Sequence, residues 1–238
     1  MAWTVCALLA AAADLALPRR CLGCLRQGAA ICSACWRTAV QPRMWRPEPC
    51  PVDFPPTWVA GRYDAVLRTA VLAAKERGRT DLLPLLGGAL ADAVEQAVPG
   101  SGPVVLIPVP STRSATRRRG GDHMRALARR TAVELQRAGR PAAALPALRL
   151  LRTPRDSAGL TATERARNLD GAFAAAPDTA RLSAGADLVL VDDVVTTGTT
   201  LGQAARALGT TGVQVSAAAV AGTARRTNAR LSGRAPTD

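Results

Sequence analysis

The sequence predicts an α/β domain: a mostly parallel sheet covered by helices on both faces, with a small cysteine module ahead of it. Three observations predict this. Short apolar runs that read as buried strands alternate with longer segments of helical period. The chain is 48% hydrophobic but only 3% aromatic, so its core is made of Ala, Val and Leu, as suits helices packed on a sheet. Third, "LVLVDDVVTTGTTL", residues 188–201, runs a strand-like stretch straight into two adjacent acids and a threonine loop. A length of 238 residues suffices for one full domain plus a small accessory unit.

Taken in order, "MAWTVCALLAAAADLAL" (residues 1–17) is apolar but has no positive segment before it, and Asp14 interrupts it. It is too short to span a bilayer, so it is expected to be a helix packed on the body, in a cytoplasmic protein. Cys21, Cys24, Cys32 and Cys35 follow as C-x2-C-x7-C-x2-C. Two such knuckles aim four thiolates at one centre, the donor set of a closed, structural zinc site. Disulfides would suit a secreted chain, and a redox C-x2-C would not come doubled. Cys6 and Cys50 stand outside the pattern. Residues 41–57 are dense in proline and lack periodicity, which predicts a linker or extended strap between a module at 1–40 and a body at 58–222.

Within the body, residues 63–78 carry apolar positions at helical spacing and stop at Gly78. A second helix is expected from Thr80. "PVVLIPVP" (103–110) reads as a buried strand shut off by prolines. A helix from Gly121 and a strand at 147–152 follow, then a Thr-x-x-Glu capping signature from Thr161. A strand at 187–193, a helix over 198–208 and a strand at 213–220 complete the alternation. Residues 223–238 have no apolar period and read as a loose basic tail.

A net charge of +13 points to polyanionic partners, either nucleic acid or phosphorylated small molecules. Lys75 is the only lysine among 31 basic residues. Codon bias explains an arginine preference as well as selection does, but the missing counter-charge stands under either explanation.

The acid pair carries the sharpest signal. Ligands of open α/β sheets bind beyond the carboxyl ends of the strands, where Asp192 and Asp193 are expected. The threonine loop behind them leads into a helix N-terminus, whose free amides and hydroxyls suit a phosphate. The acids would repel that phosphate, but they accept well from neutral hydroxyls. A phosphate with vicinal hydroxyls beside it is a sugar phosphate, and ribose 5-phosphate fits. A Walker loop is excluded, since no Gly-Lys-Ser/Thr follows.

"VLVDDVVTTGTT" resembles the ribose-phosphate signature of type I phosphoribosyltransferases, which bind 5-phosphoribosyl 1-pyrophosphate (PRPP). Residues 10–222 resemble one branch of that superfamily, the ComF competence family. Its members join a four-cysteine module to such a domain and carry a V-P-V-P turn and an arginine-glycine motif. Here these are "IPVPSTRSATRRRGGDH" and "LRTPRDSAGLTATERARNLDGAF". The resemblance implies a type I phosphoribosyltransferase-like sheet. It implies that Asp192 and Asp193 hold ribose hydroxyls, and that Thr196, Thr197, Gly198, Thr199 and Thr200 wrap the 5-phosphate. Pro108, Val109, Pro110 and Ser111 would form the pyrophosphate loop. Arg117, Arg118 and Arg119 are either pyrophosphate partners or a solvated basic face. Lys75 matches a family lysine, yet it equally suits a helix end. Residues 153–168, with Arg165, Arg167 and Asn168, fall where relatives have a mobile loop. His123 departs from a usual glutamine, and no catalytic role is assigned to it.

The function implied is binding of PRPP or ribose 5-phosphate with Mg2+, with a part in DNA uptake and natural transformation. Single-stranded DNA and DNA-uptake proteins would be partners, and homo-oligomerisation is open. The alternative is an active phosphoribosyltransferase acting on an unidentified nitrogenous acceptor, with no role in DNA.

Overall fold

The computed structural model describes residues 20–119, 121–152 and 168–224. The helix expected over 1–17, Cys6, Arg165, Arg167, most of the expected mobile loop and all but the first two residues of the basic tail lie outside these. In chain order the elements are α1 (Ser33–Ala39), β1 (Val40–Trp45), β2 (Thr57–Arg62), α2 (Ala65–Glu76), a 3-10 turn (Thr80–Leu82) and α3 (Leu83–Ala97). Then come β3 (Val104–Pro108), α4 (Arg113–Arg119), α5 (His123–Arg137), β4 (Ala142–Ala144), β5 (Leu148–Leu150) and β6 (Phe173–Ala175). The chain closes with α6 (Thr179–Leu182), β7 (Asp187–Val195), α7 (Thr199–Gly209) and β8 (Ala217–Thr223).

The main sheet has the order β1-β2-β8-β7-β3-β4, parallel throughout except for β1. β5 and β6 form a separate antiparallel pair. Every residue of β3 and β8 is buried, as expected of strands covered on both faces. Alternate side chains feed two cores. Leu106, Val189 and Ala219 pack with α2, α3 and α5; Ile107, Leu190 and Val220 pack with α7. Each such Leu or Ile contributes about 1.5–3 kcal/mol by burial, so apolar packing holds the strand ends in place.

The α/β architecture matches the expectation, and the departures have local causes. The segment expected as a linker or strap is partly sheet, because its first residues form the edge strand β1. Pro42 lacks a donor, which an edge strand tolerates, and the register slips between Val40 and Arg43 around it. Trp45 anchors the end of that strand. It is buried and meets the Phe54 ring edge-on at 5.9 Å. The last strand begins at Ala217, four residues later than the apolar pattern suggested, because Val213 is buried from the loop instead. Among the described residues no helix is long and apolar enough to cross a membrane.

Candidate functional site

β3 leads through α5 to β4 at one edge of the sheet, whereas β7 leads through α7 to β8 on the other side. The neighbours β3 and β7 therefore mark a topological switch point, where connections diverge and leave a crevice at the strands' carboxyl ends. Pairing between the two ends at Pro108 and Val191, while β7 continues to Val195. Asp192 and Asp193 thus lie within the last turns of the strand, past the end of β3, at the lip of that crevice.

The loop after β7 turns at Gly198, whose φ of 76° is left-handed and which caps α7 without a side-chain hydrogen bond. A Cβ there would stand 2.6 Å from the Phe54 ring and 3.0 Å from Pro47, so the proline strap closes directly on this turn. Thr197 and Thr199 are buried and their hydroxyls meet at 3.0 Å; Thr196 and Thr200 are half-buried. The first intrahelical bond runs from Gly202 N–H to the Gly198 carbonyl, so the amides before it at the helix start have no i−4 partner. This is an anion-binding geometry.

The two acids differ. Asp193 is buried and forms an ion pair with Lys75, Nζ to Oδ2 2.5 Å. Burial pulls the Lys75 ammonium down, but Asp193 and then Asp192 outweigh it, and its pKa ends above the ordinary value. Asp192 is half-buried, and its Oδ1 accepts from the Asp193 N–H at 2.8 Å. Burial and the neighbouring Asp193 charge push its pKa up to about 8. One carboxylate is therefore paired with an ammonium, while its neighbour has no cationic partner at contact distance among the described residues and is held well above the ordinary carboxylate range.

On the other side of the crevice, Val109 N–H bonds the Val191 carbonyl at 2.9 Å and extends the β3–β7 ladder by one step. Pro110 and Ser111 follow, half-buried, and Thr112 opens α4 by accepting from Ala115 N–H at 3.3 Å. The arginine triple divides. Arg117 and Arg118 are exposed, whereas Arg119 turns in and forks onto Glu76, with Nη2–Oε1 at 2.6 Å and Nε–Oε2 at 3.0 Å. His123 begins α5, capped by Asp122, and is buried with no hydrogen-bond partner at Nε2. Burial holds its pKa below the ordinary value, against the pull of Asp193. Two residues escaped the sequence reading. Glu76 stands beside Lys75 in "AAKERG", and a charge pair at a helix end was its one signal. Tyr63, just past β2, is half-buried; burial and Asp193 raise its phenol pKa. Only the fold brings it near the acids.

The four cysteines do converge. Their sulfurs all lie within 4.8 Å of one another, against about 3.8 Å for thiolates around a tetrahedral zinc with Zn–S of about 2.3 Å. The Cys21 sulfur accepts from the amides of Gly23 (3.4 Å) and Cys32 (3.3 Å). The Cys24 amide foremost, then those of Cys32 and Gly23, lower its pKa to about 6 against the effect of burial. A Cys21 thiolate held by backbone amides and three further sulfurs converging on it fit a metal's donor set, while the neighbouring Cys32 thiol and burial push Cys35 up to about 12, a proton that a bound metal would displace. Gly23 admits the close approach: a Cβ there would lie 2.7 Å from Val66 and 2.8 Å from the Cys35 sulfur.

The acid pair, threonine loop, proline turn, Lys75 and Arg119 thus gather at one end of the sheet, and the cysteines form a separate cluster. No curated protein matches the chain. A family model described as the phosphoribosyl transferase domain matches residues 137–234, which include β4 to β8, both acids and the threonine loop, but not Lys75, Pro108–Ser111, Arg119 or the cysteines. With the mainly parallel sheet and its crevice, that match places the similarity of this part of the chain with the phosphoribosyltransferase superfamily.

Proposed function

We propose that this protein binds PRPP, or ribose 5-phosphate, in the crevice between β3 and β7. The single observation behind this reading is the acid pair immediately ahead of a threonine loop and a helix N-terminus, at a switch point of a parallel sheet. Thr196 to Thr200 hold the 5-phosphate with hydroxyls and free amides. Asp192 and Asp193 accept from the ribose hydroxyls. Pro108 to Ser111 line the pyrophosphate, with Arg119 supplying charge. Displacement at the anomeric carbon passes through an oxocarbenium-like transition state. The chain's task is therefore to position the sugar and neutralise the leaving pyrophosphate, without a nucleophile of its own. Mg2+ taken up with PRPP would supply positive charge against the leaving pyrophosphate, with few ligands from the protein itself. Cys21, Cys24, Cys32 and Cys35 would hold a structural zinc remote from this chemistry.

The biological reading is a ComF-like role in DNA uptake and natural transformation, in the cytoplasm, with single-stranded DNA as a partner. A cysteine module joined to a phosphoribosyltransferase-like body supports it, as does the charge of +13. With few aromatic residues for base stacking, DNA affinity should be chiefly electrostatic; a flat salt dependence would exclude it. One observation favours the second reading, phosphoribosyl transfer to a nitrogenous acceptor without a DNA role. Arg119, at the end of the helix that follows the Pro108–Ser111 turn, would supply an anion side that ribose 5-phosphate alone does not need.

Calorimetric titration of zinc-loaded protein with PRPP and Mg2+, and with ribose 5-phosphate, tests the site. Saturable binding is expected, weakened at least about tenfold in Asp192→Asn. A variant binding as tightly as wild type refutes the reading.

A further inference from the structure

We infer that Glu76 is an internal counter-anion for Arg119, which a pyrophosphate ligand must displace to bind. The inference rests on reading the β3–β7 crevice as a PRPP site. The last two residues of α2 reach two different parts of that crevice. Lys75 holds Asp193 of β7, and Glu76 holds Arg119 at the end of α4. Successive helical residues point about 100° apart, so one helix turn bridges the ribose side and the pyrophosphate side.

The Arg119–Glu76 contact has the form that a phosphate would take. Guanidinium presents a planar fork, and carboxylate and phosphate oxygens both fit it in the same two-bond geometry. Here both arms of the fork are used, at 2.6 and 3.0 Å. The partners are unequally exposed: the Arg119 side chain is 14% accessible and that of Glu76 46%. The arginine is therefore the more enclosed member, and the glutamate is the one that solvent can take back. The helix end itself is tied down, since Arg77 and Arg79 amides both bond the Ala73 carbonyl and Gly78 makes the left-handed turn. Release of Arg119 then needs only rotation of the Glu76 side chain. Glu76 is thus a positioning residue: it parks Arg119 in the orientation a pyrophosphate oxygen would use and sets a threshold for anions too weak to compete.

The probe is inorganic pyrophosphate, titrated calorimetrically into the full-length, zinc-loaded chain beside ribose 5-phosphate. Glu76→Gln should tighten pyrophosphate binding about three- to tenfold, and leave ribose 5-phosphate within about twofold. Glu76→Asp, which keeps the charge, should return pyrophosphate affinity towards wild type. In an Arg119→Ala background Glu76→Gln should have no effect, because the competition is gone. A purely structural Glu76 would weaken both ligands and lower Tm in Glu76→Gln. Unchanged or weaker pyrophosphate binding in Glu76→Gln, with ribose 5-phosphate still bound, overturns the latch alone. If wild type binds neither ligand, the PRPP reading fails and the latch fails with it.

Discussion

The cysteine cluster and the acid–threonine end of the sheet are both candidate sites written in a dozen or so residues, but different forces hold them. Around the cysteines there is little apolar burial: α1 has no buried residue, and Leu25 stands exposed. Cys21 and Ile31 are the fully buried apolar residues that this module contributes to the shared core, and the others that touch it, such as Leu22, Trp36 and Ala39, are only partly buried. The acid pair, by contrast, lies near the end of a strand in which Leu188 to Val191 are all buried, beside a fully buried β8. A site supported by packing can be preformed and can even satisfy its own charges, as Lys75 and Asp193 do. A site supported by few apolar contacts depends on what it binds.

The largest expected effect breaks that contrast or confirms it. A structural zinc in small modules carries about 10–16 kcal/mol of apparent binding free energy at neutral pH, much of it folding energy. Cys21→Ser should therefore abolish stoichiometric zinc and remove hydrogen-exchange protection from residues 20–39. Amides of Val189 to Val191 should stay protected, because apolar burial holds them. Loss of protection in β7 as well would mean that module and sheet form one cooperative unit.

A middle-sized effect probes the packed site. Gly198→Ala puts a β-carbon at a left-handed φ and against the Phe54 ring. Strain of this kind costs about 1–3 kcal/mol, and the overlap adds to it. The variant should lose about 5–10 °C of Tm and bind ribose 5-phosphate more than about tenfold more weakly, with zinc content unchanged. An unaltered Tm would show that the strap moves aside freely and that packing does not set the loop.

How much of this was legible beforehand follows the range of the interactions. The cysteine set and "VDDVVTTGTT" were readable because each site is local in sequence. α2, α3, α5 and α7 were readable from their apolar period. β1 was not, since Pro42 and a proline-dense neighbourhood read as linker, and only pairing with β2 makes it a strand. The partners of the site were hidden for the same reason. Glu76 and Arg119 are 43 residues apart, and Arg119 sits in a run of three arginines that composition cannot divide. Asp192 and Asp193 looked equivalent; the approach of Lys75 to one of them makes them different.

The smallest effect turns on that difference. Asp192 has a folded pKa of about 8, against an ordinary carboxylate value of 3.8. Raised in the folded state, the group favours folding fully below its unfolded pKa, and this contribution is lost as pH climbs through about 8. Stability from this residue should thus decline between roughly pH 4 and 8, and Asp192→Asn should remove that decline. Binding has the opposite sign. Ribose hydroxyls are donors, so the ionised carboxylate is the better acceptor and ligand binding expels the proton. Ribose 5-phosphate affinity, measured without metal, should rise between pH 7 and 8 by at most about tenfold per unit and level off above about 9. The ligand's own phosphate titrates near pH 6 and does not interfere there. Asp192→Asn should flatten the curve. A wild-type curve already flat between pH 7 and 9 would mean that Asp192 is ionised throughout, so that the contrast between the two acids disappears once a ligand is bound.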